Sequence, residues 1–194
     1  RTKGARVIAS RVTRKVLAGL GVDATYDLEL RLWPISVGMR HVVVAASDGK
    51  VALREEFDPS LPPVLGNEGA LVQVLVNLVA NARDACRDAE HPTVTIRTRF
   101  VSGLVLNVIR LGRPVKLPIE VQVSDNGPGV DPALADHIFE PFVTGKPNGQ
   151  GLGLALVGKL VRDMNGRITH ERDEAAGLTH FRVHLPMARL EKAK

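Results

Sequence analysis

The 194-residue sequence has one cysteine, few aromatic residues and no long apolar run. A lone cysteine, Cys86, cannot form an internal disulfide, so we expect a packed thiol and a reducing compartment. No segment approaches the roughly 20 apolar residues of a membrane span, and residues 1–20 lack an apolar signal core. These absences predict a cytoplasmic chain with no membrane segment.

Aromatic residues make up 4% of the chain, whereas hydrophobic residues together make up 44%. The core must therefore consist mainly of Val, Leu, Ile and Ala, which is typical of a sheet covered by helices. The strand and helix patterns follow the order β, α, β, hairpin, β, loop, α, β, β. This order predicts an α/β (α+β) two-layer sandwich, in which a mixed, mostly antiparallel sheet carries its helices on one face.

Basic residues are in excess, with a net charge of +5 and an isoelectric point near 9.7. Six of them lie in residues 1–16, where no acid occurs. Because few aromatic side chains are present to stack bases, we expect no nucleic acid among the partners. Residues 1–45 show no sustained period and are predicted to be a linker or remnant, followed by one domain at 46–188 and a charged tail at 189–194.

The hydrophobic periodicity, together with the residues that interrupt helices and strands, locates the individual elements. Asn67 is a plausible N-cap for a helix of about five turns that reaches residue 89. Residues 134–142 (LADHIFEPF) predict a short helix or turn, and residues 152–164 predict a second, amphipathic helix. Strands are predicted at 51–57, 93–100, 119–124, 166–173 and 179–186, with a hairpin over 101–118 whose turn lies near Gly112 and Pro114.

Residues 149–160 (GQGLGLALVGKL) contain three overlapping phosphate-loop patterns. The P-loop pattern at 153–159 fails because position 160 is Leu where a hydroxyl is needed, and because Gly158 and Lys159 continue a helix. The dinucleotide pattern G-x-G-x-x-G fails on spacing. The remaining G-x-G-x-G directly precedes a helix, where bare amides and the positive helix end can hold anionic oxygens. A flexible loop before a helix is the alternative.

The first helix carries two stripes, one polar and one apolar, at helical spacing. Paired Asn residues are poor choices for a helix surface that merely faces water. An Asn amide oxygen is instead a suitable neutral ligand for a magnesium ion. The polar residues are Asn77, Asn81, Asp84 and Asp88, and the apolar residues, predicted to pack on the sheet, are Leu71, Leu75, Leu78 and Ala82.

Asp125 ends an apolar strand and is followed by the glycine-rich turn at 126–129. An ordinary turn would account for these residue types. A carboxylate at a strand end, beside glycines that let a flat ring approach, can also accept a hydrogen bond from the exocyclic amine of adenine. Guanine presents an oxygen at that position, so such a site would reject it.

Four motifs in this order resemble those of the Bergerat-type ATP-binding domain shared by sensor histidine kinases, gyrase, the Hsp90 chaperone and the MutL repair protein. NLVANARDA resembles the N box, DNGPGV the first glycine box, IFEPFVTGK the F box and GQGLGLALV the second glycine box. The resemblance covers residues 51–187. FEPF and the second glycine box point to histidine kinases, and DPSLPPVLGNEGALVQVLVNL is similar to the nitrogen-regulation sensor kinases of two-component systems.

The resemblance implies ATP and Mg²⁺ as cofactors, under a lid formed by residues 140–152. It implies Asn81 as the metal ligand, Asp125 as the acceptor for the adenine amine and Lys146 as a charge beside the phosphates. Asn77 lies where hydrolysing members carry Glu, which favours a phosphoryl donor over a rapid ATPase. The other residues implied at the nucleotide are Asp84, Gly127, Gly129, Phe142, Gly149, Gly151, Leu152, Gly153 and Thr179. Phe139 and Phe142 are also assigned to core and lid packing.

The sequence departs from the family pattern in two ways. Gly145 replaces the second threonine of the F box, and the phosphoacceptor signature His-Glu-x-x-Asn-Pro is absent. We therefore expect a catalytic fragment, or a kinase acting in trans, whose partners are a histidine-bearing dimerisation domain of a homodimer and a response regulator. A nucleotide-gated switch without phosphotransfer and a gyrase-like ATPase are the alternatives. The histidines, expected to be surface or strand residues, are His41, His91, His137, His170, His180 and His184.

Overall fold

The computed structural model describes residues 51–58, 60–101, 107–110, 113–146 and 149–188. The predicted N-terminal segment 1–45 and the predicted tail 189–194 lie outside the described residues. The strands are β1 (Ala52–Phe57), β2 (Thr93–Phe100), β3 (Asn107–Arg110), β4 (Arg113–Lys116), β5 (Ile119–Asp125), β6 (Arg167–Asp173) and β7 (Leu178–Leu185). The helices are α1 (Glu68–Cys86) and α2 (Gly153–Asp163).

Five strands form one mixed sheet in the order β1-β2-β5-β7-β6. β1 is parallel to β2, with α1 in the crossover that a parallel pair requires, and the other pairs are antiparallel. Both helices share one hydrophobic core with the sheet. The predicted two-layer sandwich is therefore confirmed. β3 and β4 pair separately as the predicted hairpin, with Pro114 inside β4 opposite Ile109.

Helix α1 begins where its cap residue predicts. The Asn67 side-chain oxygen accepts the Ala70 backbone N–H at 2.9 Å. Glu68 in the first turn and Arg83 in the last turn complement the helix dipole. The helix ends at Cys86 rather than at residue 89. The apolar stripe turns towards the core, where Val74, Leu75, Leu78, Val79, Ala82 and Cys86 are buried.

Helix α2 confirms that the P-loop pattern at 153–159 is helical. Val157 and Val161 are fully buried in the core. Gly158 packs closely, since a Cβ there would lie 3.5 Å from the Phe139 Cβ. Lys159 pairs with Asp163 at 2.8 Å and is 66% exposed, so it is a surface charge.

Strand β5 lies at the centre of the sheet, and every one of its residues is buried. Val121 and Val123 belong to the core under the helices. Side chains alternate along a strand, so Asp125 shares that helix-covered face at the end of β5. Its cross-strand neighbours are Val94 on β2 and Thr179 on β7.

Residues 132–139 fold as successive turns, as one of the two predicted alternatives. Phe139 packs edge to face on Phe181, with ring centroids 6.4 Å apart, which confirms its assignment to the core. The packing assignment of Phe142 is wrong, because that side chain is 78% exposed. Its backbone is held instead, since its N–H donates to the Gly151 carbonyl at 2.9 Å in a left-handed conformation (φ 68°).

Neither described helix is long and apolar enough to cross a lipid bilayer.

Candidate functional site

Two glycine segments border the same face of α1. Asn77, Asn81 and Ala85 follow one another at four-residue spacing, and residues 77–85 rise by about 12 Å. A Cβ at Gly153 would lie 3.3 Å from the Asn77 Oδ1 and 3.9 Å from the Asn81 Nδ2. A Cβ at Gly127 would lie 2.6 Å from the Ala85 carbonyl oxygen. The start of α2 and the turn after β5 therefore meet one face of α1 about 12 Å apart.

The two Asn side chains face the start of α2. The Asn77 Nδ2 donates to the Gln73 carbonyl at 2.8 Å, so its oxygen is the atom directed towards Gly153. The Asn81 Oδ1 lies 3.4 Å from the Lys146 Nζ. These contacts distinguish the Asn pair from Asp88, which is exposed beyond the end of α1. Of the predicted polar stripe, Asp88 is the residue that the structure leaves outside the site.

Lys146 joins the predicted lid to α1. Its Nζ lies 2.8 Å from the Asp84 Oδ2, and the Arg83 Nη2 lies 3.1 Å from the Asp84 Oδ1. Burial alone would raise the pKa of Asp84, but hydrogen bonds and charges from Lys146 and Arg83 outweigh it and lower the pKa. The carboxylate is therefore ionised at neutral pH. The Lys146 ammonium group also stands beside Asn81.

The start of α2, which faces the Asn pair, has no side-chain cap. Leu152 precedes the helix and has no side chain that could cap it, and the first turn contains no acid. The first N–H groups of a helix and its positive dipole end bind anionic oxygens well. The helix end that faces Asn77 and Asn81 thus suits a phosphate group.

The glycines before α2 let the chain fold closely onto itself. Gly151 has φ 66°, and a Cβ there would lie 2.4 Å from the Phe142 carbonyl carbon. A Cβ at Gly149 would lie 2.4 Å from the Thr144 Oγ1. Larger residues at either position would push residues 142–144 away from the start of α2. These two glycines therefore shape the loop, whereas Gly153 faces the Asn pair directly.

Asp125 is a buried carboxylate at the other end of this face, 2% exposed. Its Oδ1 accepts the Gly127 N–H at 2.9 Å, which closes the turn. Burial raises the pKa of Asp125, and this effect exceeds the lowering by the Gly127 hydrogen bond and the Arg172 charge. Such a shift at a strand end is typical of functional sites.

Two residues beside Asp125 were not identified from the sequence. Arg172 on β6 donates through Nη1 to the Gly127 carbonyl at 2.8 Å and to the Thr179 Oγ1 at 3.1 Å. Asn126 accepts the Thr93 N–H and donates to the His91 carbonyl, both at 2.9 Å, and so anchors the turn to β2. A signal for Arg172 existed, since the short turn between β6 and β7 sets a register that pairs it with Thr179.

Gly129 lies where the Arg172 side chain crosses the turn. Its φ is 95°, and a Cβ there would lie 3.3 Å from the Arg172 Cδ. A residue with a side chain would be strained at this position and would crowd the arginine. Gly127 and Gly129 are thus required by the packing of the turn, against α1 on one side and Arg172 on the other.

A separate cavity of about 540 Å³ lies at the opposite end of α2. It contains none of the predicted site residues. Eleven helical residues rise about 16 Å, so this cavity is remote from the Asn pair. The chemistry of the side chains, rather than this cavity, locates the candidate site. Its lining residues are Leu65, Gly66, Asn67, Ala70, Leu160, Asp163, Met164 and Asn165.

A profile of the family described as histidine kinase-, DNA gyrase B- and HSP90-like ATPase matches residues 66–189. This match covers more than half of the chain. The chain belongs to this ATPase family. This membership in the family confirms the resemblance drawn from the four motifs. It identifies the matched region as an ATP-binding domain.

Curated relatives narrow the similarity to one group within this family. The chain is 41% identical over 152 residues to the sensory histidine kinase/phosphatase NtrB of Rhizobium meliloti (strain 1021), covering 77% of this chain and 39% of the relative. It is 46% identical over 138 residues to NtrB of Rhodobacter capsulatus, covering 69% of this chain and 36% of the relative. The predicted similarity to nitrogen-regulation sensor kinases is confirmed. The chain spans about two fifths of the length of these relatives.

Solved structures agree with the fold. The catalytic domain of the histidine kinase ThkA is 27% identical, with a TM-score of 0.53, and the alignment covers 71% of this chain and 78% of that domain. The mycobacterial sensor histidine kinase MprB is 18% identical, with a TM-score of 0.60, and the alignment covers 95% of this chain and 97% of MprB. The second similarity concerns the fold alone.

Proposed function

We propose that this chain is the ATP-binding catalytic domain of a sensor histidine kinase of nitrogen regulation. In this proposal the γ-phosphoryl group of Mg-ATP is transferred to a histidine on a separate dimerisation domain. The observation that carries it is the single face of α1 along which Asn77 and Asn81 meet the start of α2, with Ala85 against the turn that follows Asp125. The names of the relatives support the assignment to nitrogen regulation.

The adenine base would lie at the Asp125 end of this face. The carboxylate would accept a hydrogen bond from the exocyclic amine, and Thr179 would contact the neighbouring ring nitrogen. Both side chains are nearly inaccessible to water, at 2% and 3% exposure. A hydrogen bond formed in such surroundings discriminates strongly, because the wrong base leaves a buried polar group unpaired. Gly127 and Gly129 would keep the approach of a flat ring clear.

The phosphates would lie at the Asn77 end. The backbone amides of residues 151–153 and the positive end of α2 would bind the phosphate oxygens, and the Lys146 ammonium would neutralise their charge. The oxygens of Asn81 and Asp84 are hard ligands, so this donor set fits Mg²⁺, with Asn81 as the direct ligand. Bound Mg²⁺ supplies further charge neutralisation at the transferring phosphate.

Transfer to a protein acceptor is favoured over hydrolysis by the side chain at position 77. The Asn77 Nδ2 is engaged with the Gln73 carbonyl, and an amide cannot remove a proton from water. Phosphoryl transfer depends mainly on positioning and charge neutralisation, which this site offers. The proposal therefore includes two partners, a histidine-bearing domain and a response regulator, and no nucleic acid. It places the chain in a full-length protein that is homodimeric and cytoplasmic.

The test is phosphotransfer in trans. The chain is incubated with γ-labelled ATP, Mg²⁺ and a separately produced histidine-bearing dimerisation domain, and base-stable, acid-labile label is measured on that domain. We expect labelling, and we expect Asn81→Ala to reduce its rate by about a hundredfold or more. Lys159→Ala, on the exposed surface of α2, is the matched control and should label at the wild-type rate. Nucleotide binding without any labelling would replace the kinase proposal by that of a nucleotide-gated switch.

A further inference from the structure

Three polar side chains form a row across adjacent strands at the Asp125 end of the site. Thr179 on β7 is paired with Asp125 on β5 and with Arg172 on β6. Side chains that lie directly opposite on neighbouring strands have Cβ atoms about 5 Å apart. The Arg172 side chain is 25% exposed, and the other two are almost fully buried. Arg172 therefore acts within a partly desolvated cluster and not at the free surface.

The hydrogen bonds of Arg172 determine whether the Thr179 hydroxyl acts as a donor or as an acceptor towards a ligand. A guanidinium group has donors and no acceptor, so the contact at 3.1 Å makes the Thr179 oxygen an acceptor. The second hydrogen on Nη1 is used by the Gly127 carbonyl at 2.8 Å, which holds the guanidinium in place. The hydroxyl proton of Thr179 must then point away from Arg172. In this arrangement Thr179 presents a donor to any ligand beside it.

A fixed donor at Thr179 next to the acceptor at Asp125 is complementary to one kind of purine edge. Adenine has a donor amine at position 6 and an acceptor nitrogen at position 1. A 6-oxopurine, such as guanine or hypoxanthine, has an oxygen at position 6 and an N–H at position 1, which reverses both roles. Without the arginine, the Thr179 hydroxyl could rotate and act as donor or acceptor, so part of this discrimination would be lost.

We propose that Arg172 is a positioning residue that sets the selectivity for adenine over 6-oxopurine nucleotides by fixing Thr179 as a hydrogen-bond donor. The inference rests on the proposed function, because it takes the base to lie between Asp125 and Thr179. It assigns Arg172 no contact with the nucleotide. Arg172 also supports the glycine turn through its hydrogen bond to the Gly127 carbonyl. Loss of that support would weaken the binding of every purine nucleotide equally.

The experiment compares ATP with inosine triphosphate (ITP), which reverses the two positions without adding the 2-amino group of guanine. Dissociation constants for both are measured by titration calorimetry with Mg²⁺. In Arg172→Met, which keeps the apolar stem and removes all donors, we expect the ATP preference over ITP to fall at least about fivefold. Arg172→Lys should restore part of it. Arg167→Met, at an exposed position on the same strand, is the control and should keep the wild-type preference.

A double-mutant cycle separates the hydroxyl route from general support of the turn. If Arg172 acts through Thr179, then Arg172→Met should not change the ATP-to-ITP preference in a Thr179→Val background. An equal weakening of both nucleotides by Arg172→Met, or the same loss of preference with Val at 179, would overturn the inference. If Arg172→Met does not fold, the ATP-to-ITP preference is measured in Arg172→Lys and Arg172→Gln instead, and the same two outcomes apply. Wild-type protein that binds no ATP would instead refute the proposed function.

Discussion

Asp125 is a residue at which the proposed function and stability oppose each other. Burial raises its pKa, so the folded protein disfavours the ionised form. Because the folded pKa lies above the ordinary value of 3.8, any stabilisation by this group is present at acid pH and is lost as the pH rises through the folded pKa. At neutral pH the carboxylate therefore costs stability, and we infer that the site retains it for recognition.

We predict that Asp125→Asn raises or leaves unchanged the Tm of the nucleotide-free protein. The Asn oxygen can still accept the Gly127 N–H, while the buried charge is removed. ATP should bind at least about tenfold more weakly, because a charge-assisted hydrogen bond to the amine is lost. Thermal unfolding and calorimetry measure the two effects. A lower Tm together with unchanged ATP affinity would contradict both the cost of burial and the placement of the base.

Two glycines of the lid allow a matched comparison of backbone requirements. Gly151 has φ 66° and a Cβ there would collide with the Phe142 backbone, whereas at Gly145 the nearest atom, the Leu134 Cδ1, is 3.6 Å away. We predict that Gly151→Ala lowers the free energy of unfolding by about 1–3 kcal/mol. Gly145→Ala should raise it by about 0.4–1 kcal/mol, because only the unfolded chain loses freedom.

Urea unfolding of the two variants measures this difference. Gly177→Ala is the control for conformational strain alone, since Gly177 has φ 64° and no atom within 4 Å of its Cβ position. It should be destabilised less than Gly151→Ala. If Gly145→Ala were more destabilising than Gly151→Ala, the inference that the backbone requires glycine at 151 but not at 145 would be wrong.

At the scale of secondary-structure elements, most of the fold can be predicted from the sequence, because the signals that mark helices and strands are local. The cap at Asn67, the two stripes of α1 and the end of β5 at Asp125 depend on residues a few positions apart. The end of α1 was overestimated by three residues, because a turn bond from the Ala89 N–H to the Cys86 carbonyl closes the helix early. The sequence does not predict the exposure of Phe142 or the hydrogen bonds of Arg172, because both depend on contacts with distant segments.

The lid and α1 are joined by the ion pair between Lys146 and Asp84. Asp84→Asn removes the charge on α1, and Lys146→Met removes the charge on the lid. Because the paired side chains are 48% and 34% exposed, we expect a modest effect, an increase of up to about fivefold in hydrogen exchange of lid residues 143–146. The double variant should exchange no faster than either single variant, because both remove the same contact.

Lys159→Met is the control for this prediction. It breaks the exposed ion pair with Asp163, which lies at the end of α2 that is farther from the lid. Lid exchange should therefore remain at the wild-type rate. Additive increases from Asp84→Asn and Lys146→Met would show that the two side chains act on the lid independently and that the pair does not hold it.

At the scale of the whole molecule, the sheet has two different faces. The helix-covered face carries most of the apolar core, whereas the opposite face of β5 and β7 carries buried polar residues. His180 Nδ1 lies 2.7 Å from the Ser124 Oγ, and Glu120 is held by Arg99 at 2.6 Å. His184 Nε2 lies 3.6 Å from a Glu120 oxygen, and among the described residues its Nδ1 has no partner. Protonation of these histidines therefore affects the stability of the whole sheet.

Acid should destabilise the folded protein through His184. Burial lowers the pKa of His184 below the ordinary value of 6.5, and this outweighs the opposing effect of Glu120. The unfolded chain then binds the proton more readily, so stability present above pH 6.5 is lost as the pH falls through the folded pKa. In thermal unfolding from about pH 7.5 to about pH 5, Tm should fall less in His184→Gln than in wild type. His137→Gln is the control, because hydrogen bonding to Glu140 raises the pKa of that exposed histidine and its removal cannot reduce the acid loss. An unchanged pH profile in His184→Gln would show that other groups cause the acid destabilisation.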